Sequence, residues 1–176
     1  MQLNNEYNIK LETKAFLLRP DIPKGGIDRS GNKEFSKEMT DPIRTEAESA
    51  GLTMFRQSHT PYTFPALEAT EFAKNSGLEL PFHKAIYEHY WAKSENIENV
   101  EVLTQIGKDV GLDSSLLSKT LIDGTYSQTI LEQYNEARSY GISGIPAIAI
   151  GKYLFTGARP YEFFQMVIEK VLEEDE

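Results

Sequence analysis

The chain of 176 residues contains no cysteine. It therefore has no disulfide bond of its own, no thiolate metal ligand and no thiol nucleophile. It also lacks an apolar run approaching the roughly 20 residues that a membrane-spanning helix requires. The N-terminus has neither the basic nor the apolar region of a secretory signal. We therefore predict a cytoplasmic location and no membrane partner.

Basic residues are scarce: 18 lysines and arginines stand against 27 aspartates and glutamates, which gives a net charge of −9. Nucleic acids and anionic membranes are bound through basic surfaces, so neither is expected as a partner. Histidines are also few, and His83 and His89 do not have the i, i+4 spacing of a helical metal site. The chain has no P-loop and no Gly-x-Gly-x-x-Gly motif. We predict no metal site and no cofactor.

The clearest structural pattern lies near the C-terminus. Ala147–Ile150 is a short apolar run, Gly151 and Lys152 form a two-residue break, and Tyr153–Thr156 can return antiparallel. Pro160 suits the first turn of a helix, and the apolar residues that follow recur at helical spacing. This stretch predicts a β-hairpin with a helix packed against it.

The rest of the chain gives a coarser pattern. Asn8–Leu18 alternates apolar and polar residues and predicts a strand, and the prolines and glycines of residues 19–32 predict a loop. Residues 65–140 have helical periodicity, with Asn99 and Asp113 as N-caps of two of the helices. A strand, five or six helices, a hairpin and a helix indicate a helix-rich α/β or α+β fold.

The C-terminal segment GISGIPAIAIGKYLFTGARPYEFF resembles that of DsbA-like thioredoxin-fold proteins. It is nearest to the FrnE-type branch, which lies near the 2-hydroxychromene-2-carboxylate isomerases and the kappa-class glutathione transferases. The segments FLLRPDIP and PYTFPALEATEFAKNSG agree with it. The resemblance implies an α/β, thioredoxin-like fold in a single DsbA-like domain, residues 1–176. Residues 1–60 and 126–176 would form the thioredoxin-like part, and residues 61–125 a helical insertion.

The resemblance also implies a site, without any catalytic residue in this chain. Ile145 and Pro146 match the family's cis-proline loop, whose backbone can pair with an extended peptide or with glutathione. Arg19 could hold a carboxylate or glutathione, and Tyr62 could line the substrate groove. The structural alternatives are a plain turn at Pro146, a weak surface ion pair at Arg19 and core packing at Tyr62. Many relatives have asparagine at the Tyr62 position, which argues against a polar role there.

The family's first strand and its Cys-x-x-Cys, or a serine in the isomerase and transferase branches, correspond to positions before Met1. The resemblance therefore implies that the N-terminal βα portion is missing. That strand would lie between Asn8–Leu18 and Ala147–Ile150, so two ladder edges would be open. The two strands could close directly, a second chain could donate a strand, or two copies could dimerise. We favour association, as a homo-oligomer or a strand-completed assembly.

Three functions fit these observations. The first is a DsbA-family thiol–disulfide oxidoreductase acting on protein disulfides, which is inactive alone because its cysteines lie elsewhere. The second is a non-catalytic module that binds a peptide or partner. The third is a glutathione-dependent isomerase or transferase, although Ser143 near Pro146 lacks a base in its sequence context. A Cys-x-x-Cys segment upstream would favour the first function, and a serine in place of the first cysteine the third.

Overall fold

The structure is a computed structural model that describes Leu3, residues 6–31 and residues 35–174. The chain divides into two compact units. The first consists of Met1–Leu18 and Leu131–Glu176, and the second is Arg19–Ile130. Within the described residues, no helix combines the length and the hydropathy that crossing a bilayer requires.

Seven helices and four short strands make up the regular structure of the described residues. In chain order they are β1 (Ile27–Asp28), α1 (Ile43–Ser49), β2 (His59–Thr60), α2 (Phe64–Asn75), α3 (Glu79–Trp91), α4 (Val100–Asp109), α5 (Ser114–Asp123), α6 (Ser127–Ser139), β3 (Ala147–Ile150), β4 (Tyr153–Thr156) and α7 (Tyr161–Glu174).

The hairpin and the final helix of the first unit are as predicted. β3 and β4 pair antiparallel from Ala147↔Thr156 to Ile150↔Tyr153. The turn needs a glycine at Gly151, which has φ +55° and where a Cβ would lie 3.0 Å from the side chain of Val171 on α7. The Phe155 ring of β4 meets the Phe163 ring of α7 edge to face, with centroids 4.9 Å apart. These contacts fix the helix against the hairpin.

The predicted strand at Asn8–Leu18 is wrong. These residues form no β-ladder with any other described residue, and β3 pairs only with β4. Instead, the segment is attached to α6 by side chains: the Ala15 N–H donates to Gln133 Oε1, and the Phe16 ring lies 5.4 Å from the Tyr134 ring. Alternation describes a strand only where a neighbouring strand completes the hydrogen bonds. The direct closure of the two predicted strands therefore does not occur.

The second unit is built on four helices, α2 to α5. Its core contains fully buried apolar side chains from three of them: Phe82, Leu103, Ile106 and Leu117. The predicted caps are confirmed, since Asn99 accepts a hydrogen bond from the Glu101 N–H (2.8 Å) and Asp113 from the Leu116 N–H (2.9 Å). These local signals explain why the sequence predicts the helices well.

A second small sheet, β1 with β2, was not predicted. Ile27 pairs with Thr60 and Asp28 with His59. Gly26, just before β1, has φ +67°, and a Cβ there would come 2.5 Å from the Thr60 carbonyl oxygen. The loop predicted for residues 19–32 therefore pairs with the irregular stretch around β2. Each contributes a strand of only two residues, which is too short to show a periodic pattern in the sequence.

Candidate functional site

The Ile145–Pro146 pair stands at the mouth of β3 in the first unit. The peptide bond between the two residues is cis. The Ile145 side chain is 51% exposed, although it is large and apolar. An exposed apolar side chain beside a strand end can contact a bound chain.

The hydrogen bonds of β3 show which of its residues face outward. The Gly157 N–H donates to the Pro146 carbonyl oxygen (2.8 Å), which continues the β3–β4 ladder by one residue pair. In an antiparallel ladder, successive residues direct their N–H and C=O groups to opposite sides. Ile148 therefore faces β4, while Ala147 and Ala149 direct their backbone groups to the other edge.

The outer edge of β3 presents backbone groups that no other strand pairs with in the described residues. Among the residues that the structure describes, β3 has a single strand partner, so the backbone groups of Ala147 and Ala149 lie along an open ladder edge. The missing N–H of Pro146 falls on the side of β4 and does not interrupt this edge. Open edges of this kind are templates for an added strand.

Arg19, a candidate from the sequence, lies in the second unit. Its guanidinium donates from Nε to Asp21 Oδ1 (3.1 Å) and from an Nη to Asp21 Oδ2 (3.0 Å). The hydrogen bonds with Asp21, and then its charge, raise the pKa of Arg19. Both side chains are about half exposed or more, so the pair contributes little to stability. Asp21 occupies two of the five guanidinium N–H groups, so a carboxylate ligand would have to use the others or displace Asp21.

Tyr62, the other candidate, begins the helical part of the second unit. Its ring stacks on Phe64 with centroids 5.8 Å apart and planes 6° apart. Its N–H donates to Glu98 Oε2 (3.2 Å). Burial raises the pKa of Tyr62, and the charges of Glu68 and Glu98 add to that effect. Burial and the two neighbouring carboxylates therefore both disfavour ionisation of the phenol.

Sequence reasoning did not find Glu98 or Glu68. Glu98 joins two distant segments, because its Oε1 accepts from the Gly25 N–H while its Oε2 accepts from Tyr62. Glu68 is a buried carboxyl on α2 that accepts a hydrogen bond from Ser127 Oγ (2.7 Å). Neither residue has a local sequence signal, since its partners lie far along the chain.

Glu68 makes the stability of the second unit pH-dependent. Desolvation by burial raises the pKa of Glu68 above its usual value of about 4.5, against the hydrogen bond from Ser127. The folded protein then holds the proton more tightly than the unfolded chain does. The free energy of unfolding therefore falls as pH rises from near 4.5 through the raised pKa.

We expect Glu68→Gln to remove this fall, because the glutamine Oε1 can still accept from Ser127 and does not ionise. Urea unfolding at a series of pH values from acidic to neutral measures the effect. The matched control is Glu88→Gln, an exposed glutamate of α3. An unchanged pH profile in Glu68→Gln, or the same change in Glu88→Gln, would contradict the assignment.

The four predicted site residues belong to different units. Ile145 and Pro146 lie in the first unit, and Arg19 and Tyr62 lie in the second. No group of three or more histidine, aspartate or glutamate side chains that could hold a metal ion occurs among the described residues. Both ring nitrogens of His89 form hydrogen bonds instead, Nδ1 with Glu95 (3.0 Å) and Nε2 with Lys93 (3.0 Å).

Comparison with known proteins agrees with this fold. A family model described as DSBA-like thioredoxin domain matches residues 1–169. The uncharacterized protein YwbO of Bacillus subtilis (strain 168) is 26% identical over 167 residues, which cover 92% of this chain and 82% of YwbO. The family match confirms the predicted thioredoxin-like fold.

Two solved structures are similar in fold. The probable DsbA oxidoreductase SCO1869 from Streptomyces coelicolor has a TM-score of 0.69 at 22% identity, and the match covers 76% of this chain and 59% of SCO1869. A 2-hydroxychromene-2-carboxylate isomerase has a TM-score of 0.70 at 12% identity, and the match covers 99% of this chain and 87% of the isomerase. The chain thus spans less than two thirds of the length of SCO1869.

Proposed function

Since the chain belongs to the family of DSBA-like thioredoxin domains, we propose that it is the binding part of a thiol–disulfide oxidoreductase. This chain supplies most of the thioredoxin-like fold. A cysteine-bearing strand from another segment pairs with the outer edge of β3. The chain alone does not exchange disulfides. Its protein disulfide substrate lies against the loop of Ile145 and Pro146, and the assembly works in the cytoplasm.

One observation carries this proposal: a member of this family without any cysteine has an open strand edge next to the loop at Ile145. In disulfide exchange, a thiolate attacks one sulfur of the substrate disulfide. A mixed disulfide forms, the original S–S bond breaks and the second substrate sulfur leaves as a thiolate. This chain has no sulfur that could perform the attack, so the thiolate must come from the added segment.

We expect the chain alone to leave the rate of insulin reduction by dithiothreitol unchanged. The reason is that each step requires a thiolate that the sequence does not contain. The assay is the turbidity of precipitating insulin chains, run in parallel with glutathione as the reductant. Mass spectrometry of the sample serves as the control for cysteine-containing contaminants. If the pure chain accelerates insulin reduction with either reductant, the proposal that the attacking thiolate comes from another segment is refuted.

We expect the purified chain, without its strand-donating partner, to self-associate through the edge of β3. Ala149→Pro removes an N–H from that edge without removing a β3–β4 hydrogen bond, and should shift the chain to a monomer. The control is Leu154→Pro, at the residue directly opposite in the register, whose N–H faces the outer edge of β4. Sedimentation equilibrium measures the mass of each protein.

The paired prolines make the association test specific. Both substitutions introduce the same backbone constraint into the hairpin, and circular dichroism reports whether the secondary structure survives. Dissociation in Ala149→Pro alone supports pairing at β3. A monomeric parent chain, or equal dissociation in both variants, would contradict it.

A further inference from the structure

The second unit contains a cavity that the proposed function does not use. Its volume is about 90 Å³, several times the roughly 10–15 Å³ that one water molecule requires. The lining side chains that bear on its chemistry are Lys37, Arg56, Ser58, His59, Ser94 and Glu95. The cavity can therefore hold a polar group of several heavy atoms.

Two cationic side chains give the cavity its charge. Lys37 and Arg56 lie on adjacent segments, because the Arg56 N–H donates to the Lys37 carbonyl oxygen (2.8 Å). The guanidinium carbon of Arg56 is 5.5 Å from the centroid of the Phe35 ring, a cation–π contact that orients the side chain. Two cations at one cavity stand out in a chain of net charge −9.

The single carboxylate of the lining, Glu95, accepts a hydrogen bond from His89. The Lys93 ammonium can only donate, so it places the lone pair of His89 on Nε2 (3.0 Å) and the ring proton on Nδ1. That proton is donated to Glu95 Oε2 (3.0 Å). This hydrogen bond satisfies one oxygen of Glu95 but leaves its charge in place, so the lining carries two positive charges against one negative charge.

Ser58 and Ser94 add hydroxyl groups to the lining of the cavity. His59 also lines it, but its Nε2 is buried against Gly26 and is not open to a ligand. With the guanidinium of Arg56 and the ammonium of Lys37, the two hydroxyls provide more donors than the two oxygens of a carboxylate would use.

We propose that this cavity binds a phosphate group. A tetrahedral oxyanion has acceptor atoms in several directions, which suits an arginine fork, an ammonium and two hydroxyls arranged around a small space. The phosphate can be the free ion or the phosphate of a monoester. The proposal rests on residues of the second unit alone and stands whether or not β3 accepts a strand.

The test is isothermal titration of the full chain with inorganic phosphate and, separately, with methyl phosphate and acetate. We expect saturable binding of phosphate that weakens as sodium chloride is added, because charge attraction is screened. Arg56→Met and Lys37→Met should each weaken phosphate binding about tenfold, the usual scale for losing a charge-assisted contact. Tighter binding of methyl phosphate would identify the ligand as a monoester, and tighter binding of the free ion would identify phosphate itself.

The controls are Lys108→Met and Arg44→Met, exposed cations of α4 and α1 in the same unit. They change the net charge equally and should leave phosphate binding within about twofold of the parent, since long-range charge is screened. Arg56→Lys should bind phosphate with intermediate affinity, because lysine keeps the positive charge but lacks the paired N–H donors of the planar guanidinium. Absence of saturation, equal affinity for acetate, or equal weakening in the controls would overturn the proposal.

Discussion

Replacing Gly26 with alanine is expected to cost the second unit about 2–5 kcal/mol of unfolding free energy. The new Cβ would come 2.5 Å from the backbone oxygen of Thr60 and 2.6 Å from the ring of His59. The first of these neighbours is main chain, held in place by the pairing of β1 with β2. Gly26 also has φ +67°, which an alanine rarely adopts. Steric contact and backbone conformation therefore act in the same direction.

Gly25 provides the matched control for this substitution. It also has a positive φ, +90°, but a Cβ there would meet no heavy atom within 4 Å. Gly25→Ala should therefore cost only the conformational part, about 1 kcal/mol. Urea unfolding followed by the fluorescence of Trp91, the only tryptophan, reports on the second unit. Equal losses in the two variants would mean that close approach to β2 is not what requires glycine at position 26.

Leu103→Ala is expected to lower the free energy of unfolding of the second unit by about 2–5 kcal/mol. Leu103 lies on α4 and is completely buried among the side chains of the helical core. Truncation removes buried methyl groups and leaves a cavity that the surrounding helices can fill only in part. The size of the loss within this range reports how far those helices relax.

Leu116→Ala is the corresponding control on α5. The same atoms are removed, but Leu116 is 52% exposed, so the loss should be about 1 kcal/mol or less. Urea unfolding at neutral pH compares the two variants. Similar losses would show that the core is not centred on Leu103. A loss in Leu103→Ala without a shift in the Trp91 transition would contradict the assignment of Trp91 and Leu103 to one cooperative unit.

Local signals explain which parts of the fold were predictable. Asn99 and Asp113 cap helices through contacts two and three residues away, and the Gly151 turn closes a hairpin between adjacent strands. The alternation of Asn8–Leu18 is also local, but a strand needs a neighbour, which no local pattern supplies. The sheet of β1 and β2 was not predicted, because each strand has only two residues and gives no alternating pattern. Its pairing also joins residues that lie far apart in the sequence.

The candidate sites also divide into those formed by neighbouring residues, which the sequence reveals, and those formed by distant residues, which it does not. Pro146 was found because glycines and a hairpin surround it in sequence. Glu98 could not be found, since its carboxylate joins Gly25 and Tyr62, which lie 73 and 36 residues away. The cavity beside Arg56 was missed because its lining comes from segments that meet only after folding. Sequence patterns located the loop at Pro146 and the helices, while the chemistry of the second unit required coordinates.

The division of the chain also sets an order of events during translation. The second unit is continuous, Arg19–Ile130, whereas the first needs residues from both ends of the sequence. At typical elongation rates of 5–20 residues per second, residues 131–176 are completed about 2–9 s after Ile130. The helical core can form in that interval, while Ala15 and Phe16 of the N-terminal segment still lack Gln133 and Tyr134, which they contact in the folded chain. Nascent chains in this window would be the ones that chaperones bind.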